Sequence, residues 1–311
     1  MIHAVSSRGM MCCMGFLTTL AVAVAQFTVA REPERNLEII DGFARDAAAG
    51  GARLLVLPEG LIARDGDDDG FAAAHAQPLD GPFVTGLSRI SKEHGVALLG
   101  TVHVAPEPMA VLMASSSALS TLSASSPSVT RGVDADVRVS NVFLVVDDGE
   151  IRAAYRKLHL YDAFSARESD VVRPGTELPP IVDFDGWKVG VMTCYDLRFP
   201  ETARSLAVRG ADAIAVSAAW VRGPRKERHW SLLAAARALE NTCYVLACSE
   251  VGVRNIGMSR IVDPMGEPLA EAGDDGSALI AADLSREALT AARRTLPVLD
   301  NRRFADPALR G

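Results

Sequence analysis

The sequence predicts a mixed α/β protein with a large buried core, and three observations carry that expectation. Short, continuous apolar runs alternate with segments of helical spacing, and such runs are typical of strands covered on both faces. Asp148-Gly149 and Asp185-Gly186 each sit between two apolar runs, where they signal tight hairpin turns. The composition, 49% hydrophobic and 23% charged over 311 residues, is that of an ordinary globular chain able to bury a sizeable core.

Taken in order, LAVAVAQF (20–27) is the first strand. The stretch leading into it, MIHAVSSRGMMCCMGFLTTLAVAVA, has a weakly basic start, an apolar run and an Ala23-Val24-Ala25 site, as a secretory signal would. The strand reading is preferred because the apolar run continues into Gln26-Phe27 and then meets a helix start. Residues 1–17 then form a flexible extension, with Met14 an alternative start, and 18–311 form one domain. REPERNLEIIDGFARDAAAGG has helical spacing and a Gly-Gly stop. ARLLVLPE is a strand, PFVTGLSRISKEHG a helix starting near Pro82, and VALLGTVHV a strand. Residues 109–137 are rich in Ser and Ala and form a low-complexity loop insertion. NVFLVVDDGEIRAAYRK and IVDFDGWKVGVMTC are hairpins. ETARSLAVRG is a helix, ADAIAVSAAW a strand, HWSLLAAARALEN a helix and CYVLACSE a strand. Further hairpin signals follow to about residue 284.

A net charge of −7 and a pI near 5.4 leave no basic footprint for DNA or RNA. Beyond the N-terminus nothing approaches the ~20 apolar residues of a membrane span. The five cysteines are odd in number, fit no disulfide framework and include no C-x-x-C pair, which points to the reducing cytoplasm. No zinc signature is present; His103, His159 and His229 are scattered, and His159 reads as a support for the lysine loop. DGDDDG (65–70) opens like a calcium loop, but the twelfth position is Ala76, so it reads as a solvated acidic loop.

Three residues sit where strands end. Cys194 closes the run KVGVMT and precedes a turn into a helix, where backbone N–H groups favour a thiolate and can bind an oxyanion. A lone cysteine is more commonly a small core residue. Glu59 follows the strand RLLVLP, where partial burial makes a general base; a solvated loop glutamate is the plainer alternative. Lys157 ends AAYRK among aromatic residues and His159; a buried ammonium there can stabilise an anionic intermediate.

Strand-Pro-Glu, Tyr-Arg-Lys-Leu-His-Leu-Tyr-Asp and Thr-Cys-Tyr-Asp-Leu-Arg-Phe-Pro-Glu, in this order, resemble the nitrilase, or carbon–nitrogen hydrolase, superfamily from about Leu20 to Phe304. The resemblance implies a four-layer αββα sandwich and a homodimer. It implies Glu59 as base, Lys157 as the cation that stabilises the intermediate, Cys194 as nucleophile and Glu168 as a second glutamate beside the lysine. It implies no metal or other cofactor, and Tyr195 as the donor of an oxyanion-binding N–H.

PEGLIARD, KLHLYDAFSARESD, the long stretch 217–245, RNIGMSRIVDP and LPVLDNRRFA narrow the resemblance to amidases acting on small anionic amides. Arg64, Arg198, Arg222, Arg225, Lys226 and Arg228 are the cations available for a substrate carboxylate, with Arg222 or Arg225 expected to hold the distal one. Trp220 reads as a pocket wall or a core aromatic. Two alternatives stay open: an ω-amidase acting on short carboxylated amides, and a catalytically silent binding scaffold.

Overall fold

The structure, a computed structural model, describes residues 18–65, 68, 70–106, 137–164 and 166–309. The expected extension at 1–17, and all but the last residue of the insertion expected at 109–137, lie outside the described residues.

The chain opens with β1 (Thr19–Gln26), α1 (Pro33–Ala49), β2 (Leu54–Val56), the single turn α2 (Phe71–Ala74), α3 (Pro82–His94) and β3 (Ala97–Val104). Hairpins β4 (Ser140–Asp147)–β5 (Glu150–Arg156) and β6 (Ile181–Phe184)–β7 (Trp187–Thr193) follow. Then come α4 (Pro200–Val208), β8 (Ala213–Ala218), α5 (Lys226–Asn241) and β9 (Tyr244–Ser249). The last elements are β10 (Arg260–Val262), β11 (Pro268–Glu271), β12 (Ala278–Ser285), α6 (Arg286–Thr295) and α7 (Val298–Asn301). Proline at the first turn of α1, α3 and α4 suits a helix start, because its missing N–H has no partner there anyway.

Two six-stranded sheets run in the orders β12-β1-β2-β3-β4-β5 and β11-β10-β9-β8-β7-β6. Both are mixed: β1-β2-β3 and β7-β8-β9 are parallel, and the outer pairs are antiparallel. The hairpin turns lie at Asp148-Gly149 and Asp185-Gly186, and all four residues have φ between 51° and 88°, as a primed turn requires.

Period-2 alternation divides the apolar residues among three buried layers. Val22, Leu54, Leu99 and Phe143 of the first sheet meet Trp187, Val189, Ala215 and Leu246 of the second. Their neighbours on the opposite faces pack outward: Ala23, Leu55 and Leu98 against Ile40 and Phe83 of the helices α1 and α3. On the other side, Ile214, Val216 and Val245 pack against Leu206 of α4 and Trp230 and Ala234 of α5. The layers are therefore helix, sheet, sheet and helix, the αββα sandwich that the sequence led one to expect. The strands read as unbroken apolar runs because both of their faces are covered. Among the described residues no helix is long and apolar enough to cross a membrane.

Candidate active site

The parallel strands β2, β7 and β8 end on one side of the sandwich, and β4 begins there. Glu59 leaves the end of β2, and its N–H donates to Ala218 O at the end of β8, 3.2 Å away, so the carboxylate crosses from one sheet to the other. Gly60, at φ +77°, turns the chain at once; its N–H donates to Thr101 Oγ1 at 2.9 Å. Lys157 follows β5, and its N–H donates to Asn141 O of β4. Cys194 follows β7 in a left-handed conformation, φ +42°, rare for a residue with a side chain. Such local strain persists where surrounding contacts over-determine the geometry.

Those contacts converge on Asp196, a fully buried carboxylate. It accepts from Thr193 N (3.0 Å), Tyr155 Oη (2.9 Å), His159 N (3.1 Å) and His159 Nδ1 (2.7 Å). His159 in turn stacks on Phe199, ring centres 3.7 Å apart. The turn carrying Cys194 is thereby tied to β5 and to the loop after it.

Lys157 Nζ, 2% exposed as a residue, donates to Glu59 Oε1 (3.0 Å) and to Glu168 Oε1 and Oε2 (3.1 and 2.9 Å). Asn141 Nδ2 bridges the same carboxylates, at 2.8 Å from Glu59 and 3.4 Å from Glu168. Ala219 N donates to Glu59 Oε2 at 2.9 Å, and Tyr161 N to Glu168 Oε2 at 2.6 Å. Burial alone would raise the Glu59 carboxyl, but Lys157 and Arg64 outweigh it and hold the group well below the usual carboxylate range. Burial opposes the charge on Lys157, yet Glu168 and Glu59 raise it well above the ordinary lysine value. The Cys194 thiol is pushed up by burial and by the Glu59 carboxylate, with Lys157 opposing. The resting arrangement is thus a neutral thiol beside an ionised carboxylate and an ammonium.

Arg64 is beside this cluster but engaged: Nε meets Glu250 Oε2 at 2.9 Å. Buried Glu250 also accepts from Val29 N and Asn255 Nδ2. Arg64 therefore faces a protein carboxylate, where the sequence suggested a substrate carboxylate. Arg222 is likewise engaged within the protein. Its guanidinium donates to Gly252 O (3.2 Å) and Asp274 O (2.7 Å), and these carbonyls tie it to the β9–β10 and β11–β12 loops. Arg225 is exposed, with φ +64° at the start of α5, where the chain must reverse into the helix.

Arg198 and Lys226 are the cations that reach the aromatic cluster formed with Tyr161, Phe164, Tyr195 and Trp220. Arg198 lies 4.7 Å over the Trp220 ring and 5.9 Å over that of Tyr195. Lys226 Nζ donates to Tyr161 Oη at 2.7 Å. Trp220 packs on Trp230 in the core and carries Arg198 over its face.

Asn141, Asp196, Glu250, Tyr161 and Phe164 join the site without having been singled out in the sequence. Asn141 and Asp196 carry one visible signal, a polar side chain at the end of an apolar strand. His103, 7% exposed, lies within electrostatic reach of Arg64, Glu59 and Lys157; burial and Arg64 lower its pKa to about 4.

An αββα sandwich that gathers a buried thiol, an ammonium and two carboxylates at one edge of its strands defines a class of hydrolase scaffold. A family model for carbon–nitrogen hydrolases matches residues 21–294. The chain belongs to that family. It is 43% identical over 290 residues to the deaminated glutathione amidase of Escherichia coli O157:H7, covering 93% of this chain and 100% of the relative. It is 31% identical to the human deaminated glutathione amidase, covering 91% of this chain and 82% of that one. Among solved structures, an amidase from Nesterenkonia sp. superposes with a TM-score of 0.69 at 25% identity, covering 89% of this chain and 95% of that one. A carbon–nitrogen hydrolase superfamily protein from Xanthomonas campestris superposes with a TM-score of 0.74 at 24% identity, covering 93% and 99%.

Proposed function

We propose that this chain is an amidase that hydrolyses deaminated glutathione or a closely related anionic amide through a Cys194 thioester. The observation that carries the reading is the hydrogen bond from the Lys157 ammonium to Glu59, at the end of β2, beside the buried Cys194 that follows β7. The E. coli relative, matched along its whole length, supports the substrate class.

The chemistry follows from the charges. The thiol is neutral at rest, so its proton must leave as sulfur attacks the amide carbonyl; Glu59 takes it. The carbonyl electron pair moves to oxygen, and the new negative charge meets the Lys157 ammonium and the Tyr195 N–H. That N–H lies in the first turn of a 3₁₀ segment, where backbone donors have no partner one turn back. Glu59 itself is a weak base, so transfer is favourable only when coupled to the formation of this stabilised oxyanion. Collapse breaks the C–N bond, and the departing amine or ammonia takes the proton from Glu59. Water then gives a proton to Glu59 and attacks the thioester. A second collapse releases the carboxylic acid, and the sulfur recovers its proton. Glu168 also accepts from Lys157 and keeps its charge in place.

Turnover of deaminated glutathione and of α-ketoglutaramate, with Cys194→Ala as control, tests the reading. Product from the wild type and none from the variant supports it. Equal product from both removes Cys194 as nucleophile, and none from either favours the silent scaffold.

The reading also includes a homodimer in the reducing cytoplasm, where the Cys194 thiol stays free. Leu232 and Leu239, exposed at 59% and 40%, lie seven residues apart on α5 and form an apolar stripe suited to a second copy. Light scattering that gives twice the chain mass supports the dimer, and a monomer at working concentration excludes it.

A further inference from the structure

A carboxylate that takes a proton from sulfur needs one oxygen open to it, and Glu59 has two cations for neighbours. Its Oε1 accepts from Lys157 Nζ and Asn141 Nδ2, at 3.0 and 2.8 Å. Its Oε2 accepts from Ala219 N at 2.9 Å and keeps a second lone pair, the place for the thiol proton. Arg64 is the other cation. Its guanidinium lies against Gly60, the residue after Glu59: a Cβ built on that glycine would stand 2.9 Å from Arg64 Nη1. An arginine so near an ionised carboxylate would ordinarily close on it through a charge-assisted bond. Arg64 pairs instead with Glu250, Nε to Oε2 at 2.9 Å.

Glu250 is fixed from the same point as the base. Its N–H donates to Ala218 O at 2.9 Å, and that carbonyl also accepts from Glu59 N at 3.2 Å. Its carboxylate accepts from Val29 N at 3.1 Å and Asn255 Nδ2 at 2.7 Å. Both glutamates are buried. Contacts therefore run in a circuit from Glu59 through Gly60, Arg64 and Glu250 back to Ala218, across the loops that follow β2, β8 and β9. A buried ion pair adds little net stability over an apolar pair of the same volume, so stability alone does not account for one at this spot. Burial opposes the charge on Arg64, and Glu250, Glu59 and Cys194 outweigh it. The guanidinium thus acts on base and nucleophile alike while bonded to neither.

We infer that Arg64 and Glu250 form a positioning pair for the general base: Arg64 supplies a second cation beside Glu59 and Cys194, and Glu250 holds its guanidinium off the carboxylate oxygen that takes the thiol proton. The inference rests on the amidase reading for its effect on turnover, but not for the placing of the charge. The other charged and titratable groups around Glu59 are Lys157 and Glu168 after β5, His103 in β3 and Cys194 after β7. After Glu250, Glu59 is the carboxylate that acts most strongly on Arg64, so a guanidinium released from Glu250 turns to the base.

The test has a turnover arm and an alkylation arm. At pH 7.5, Glu250→Gln frees the guanidinium, and kcat for glutaramate, a short carboxylated amide, falls ~10-fold. Adding Arg64→Met to that background raises kcat again, because no guanidinium is left to close on Glu59. A wild-type kcat in Glu250→Gln, or a double variant no faster than the single one, overturns the inference. Alkylation of Cys194 by iodoacetamide at pH 9 needs neither turnover nor a change at Glu250. Arg64 favours the thiolate, so Arg64→Met slows alkylation ~10-fold, the effect of one pKa unit, and Arg64→Lys recovers most of the rate. Loosened packing would instead expose the buried sulfur and speed its reaction. An unchanged or faster rate in Arg64→Met therefore also overturns the inference. Slowed alkylation, in a protein whose wild type hydrolyses no amide, upholds the charge placed by Arg64 and instead rejects the amidase reading.

Discussion

Lys157 is held by both Glu59 and Glu168, with almost no access to water. Removing the ammonium leaves the buried Glu59 carboxylate beside the partly buried one of Glu168. Lys157→Met is expected to lose all turnover and about 3–5 kcal/mol of stability, the cost of stranding a buried charge. Urea denaturation checks the second figure, and a loss under 1 kcal/mol would contradict the paired geometry. Cys194 gives a kinetic prediction. Burial and Glu59 raise its pKa, so the thiolate is scarce at neutral pH. The rate of iodoacetamide alkylation should keep climbing from pH 7 to 10. A plateau near pH 8.5, the ordinary thiol value, would show an unshifted group. At this scale the sequence was informative about types and poor about contacts. Glu59, Lys157 and Cys194 could be singled out because each ends a strand. Arg222 or Arg225 was preferred over Lys226 because adjacency in VRGPRKERH says nothing about which side chain turns inward. The structure ties Arg222 to Gly252 and Asp274 instead.

At the scale of elements, the hairpins were legible because Asp-Gly turns are a local backbone matter, and helices α1, α3 and α5 because their apolar spacing is sustained. The segment α6 was not singled out, since Leu289 and Ala292 alone are buried along it. Nor could the sequence show that β7, β5 and the loop after β5 meet at Asp196, because that contact joins residues 37 and 41 positions apart. Asp196→Asn sets an amide N–H₂ against donors and leaves at least one buried donor unpaired, at about 1–3 kcal/mol. It should also lower kcat by loosening the turn that carries Cys194. Unchanged kcat with lowered stability would make Asp196 purely structural. His103, near the end of β3, supplies a pH dependence. Its folded pKa, about 4, lies below the unfolded value near 6.5, so its contribution to stability is complete above pH ~6.5. That contribution fades as pH falls towards 4, because the unfolded chain takes up the proton first. His103→Asn should flatten the fall in Tm between pH 6.5 and 4. An unchanged slope would place the acid sensitivity elsewhere.

For the whole molecule, the sandwich explains why one edge can hold such chemistry. Two sheets packed through residues such as Trp187, Leu99 and Phe143 make a rigid floor, and the ends of β2, β7 and β8 present Glu59, Cys194 and Ala219 from both sheets at once. Fold class was legible because continuous apolar runs imply strands covered on both faces. The pairing of the two sheets was not derivable from periodicity and came from family resemblance. The proposed route opens the amide at Cys194 through a covalent acyl-enzyme. Rapid acid quench of wild-type enzyme with glutaramate, followed by intact-mass analysis and peptide mapping, tests it most directly. The expected result is a glutaryl adduct on Cys194 that forms and decays with turnover and is absent from Cys194→Ala. Turnover without any adduct, or an adduct on another residue, would contradict it.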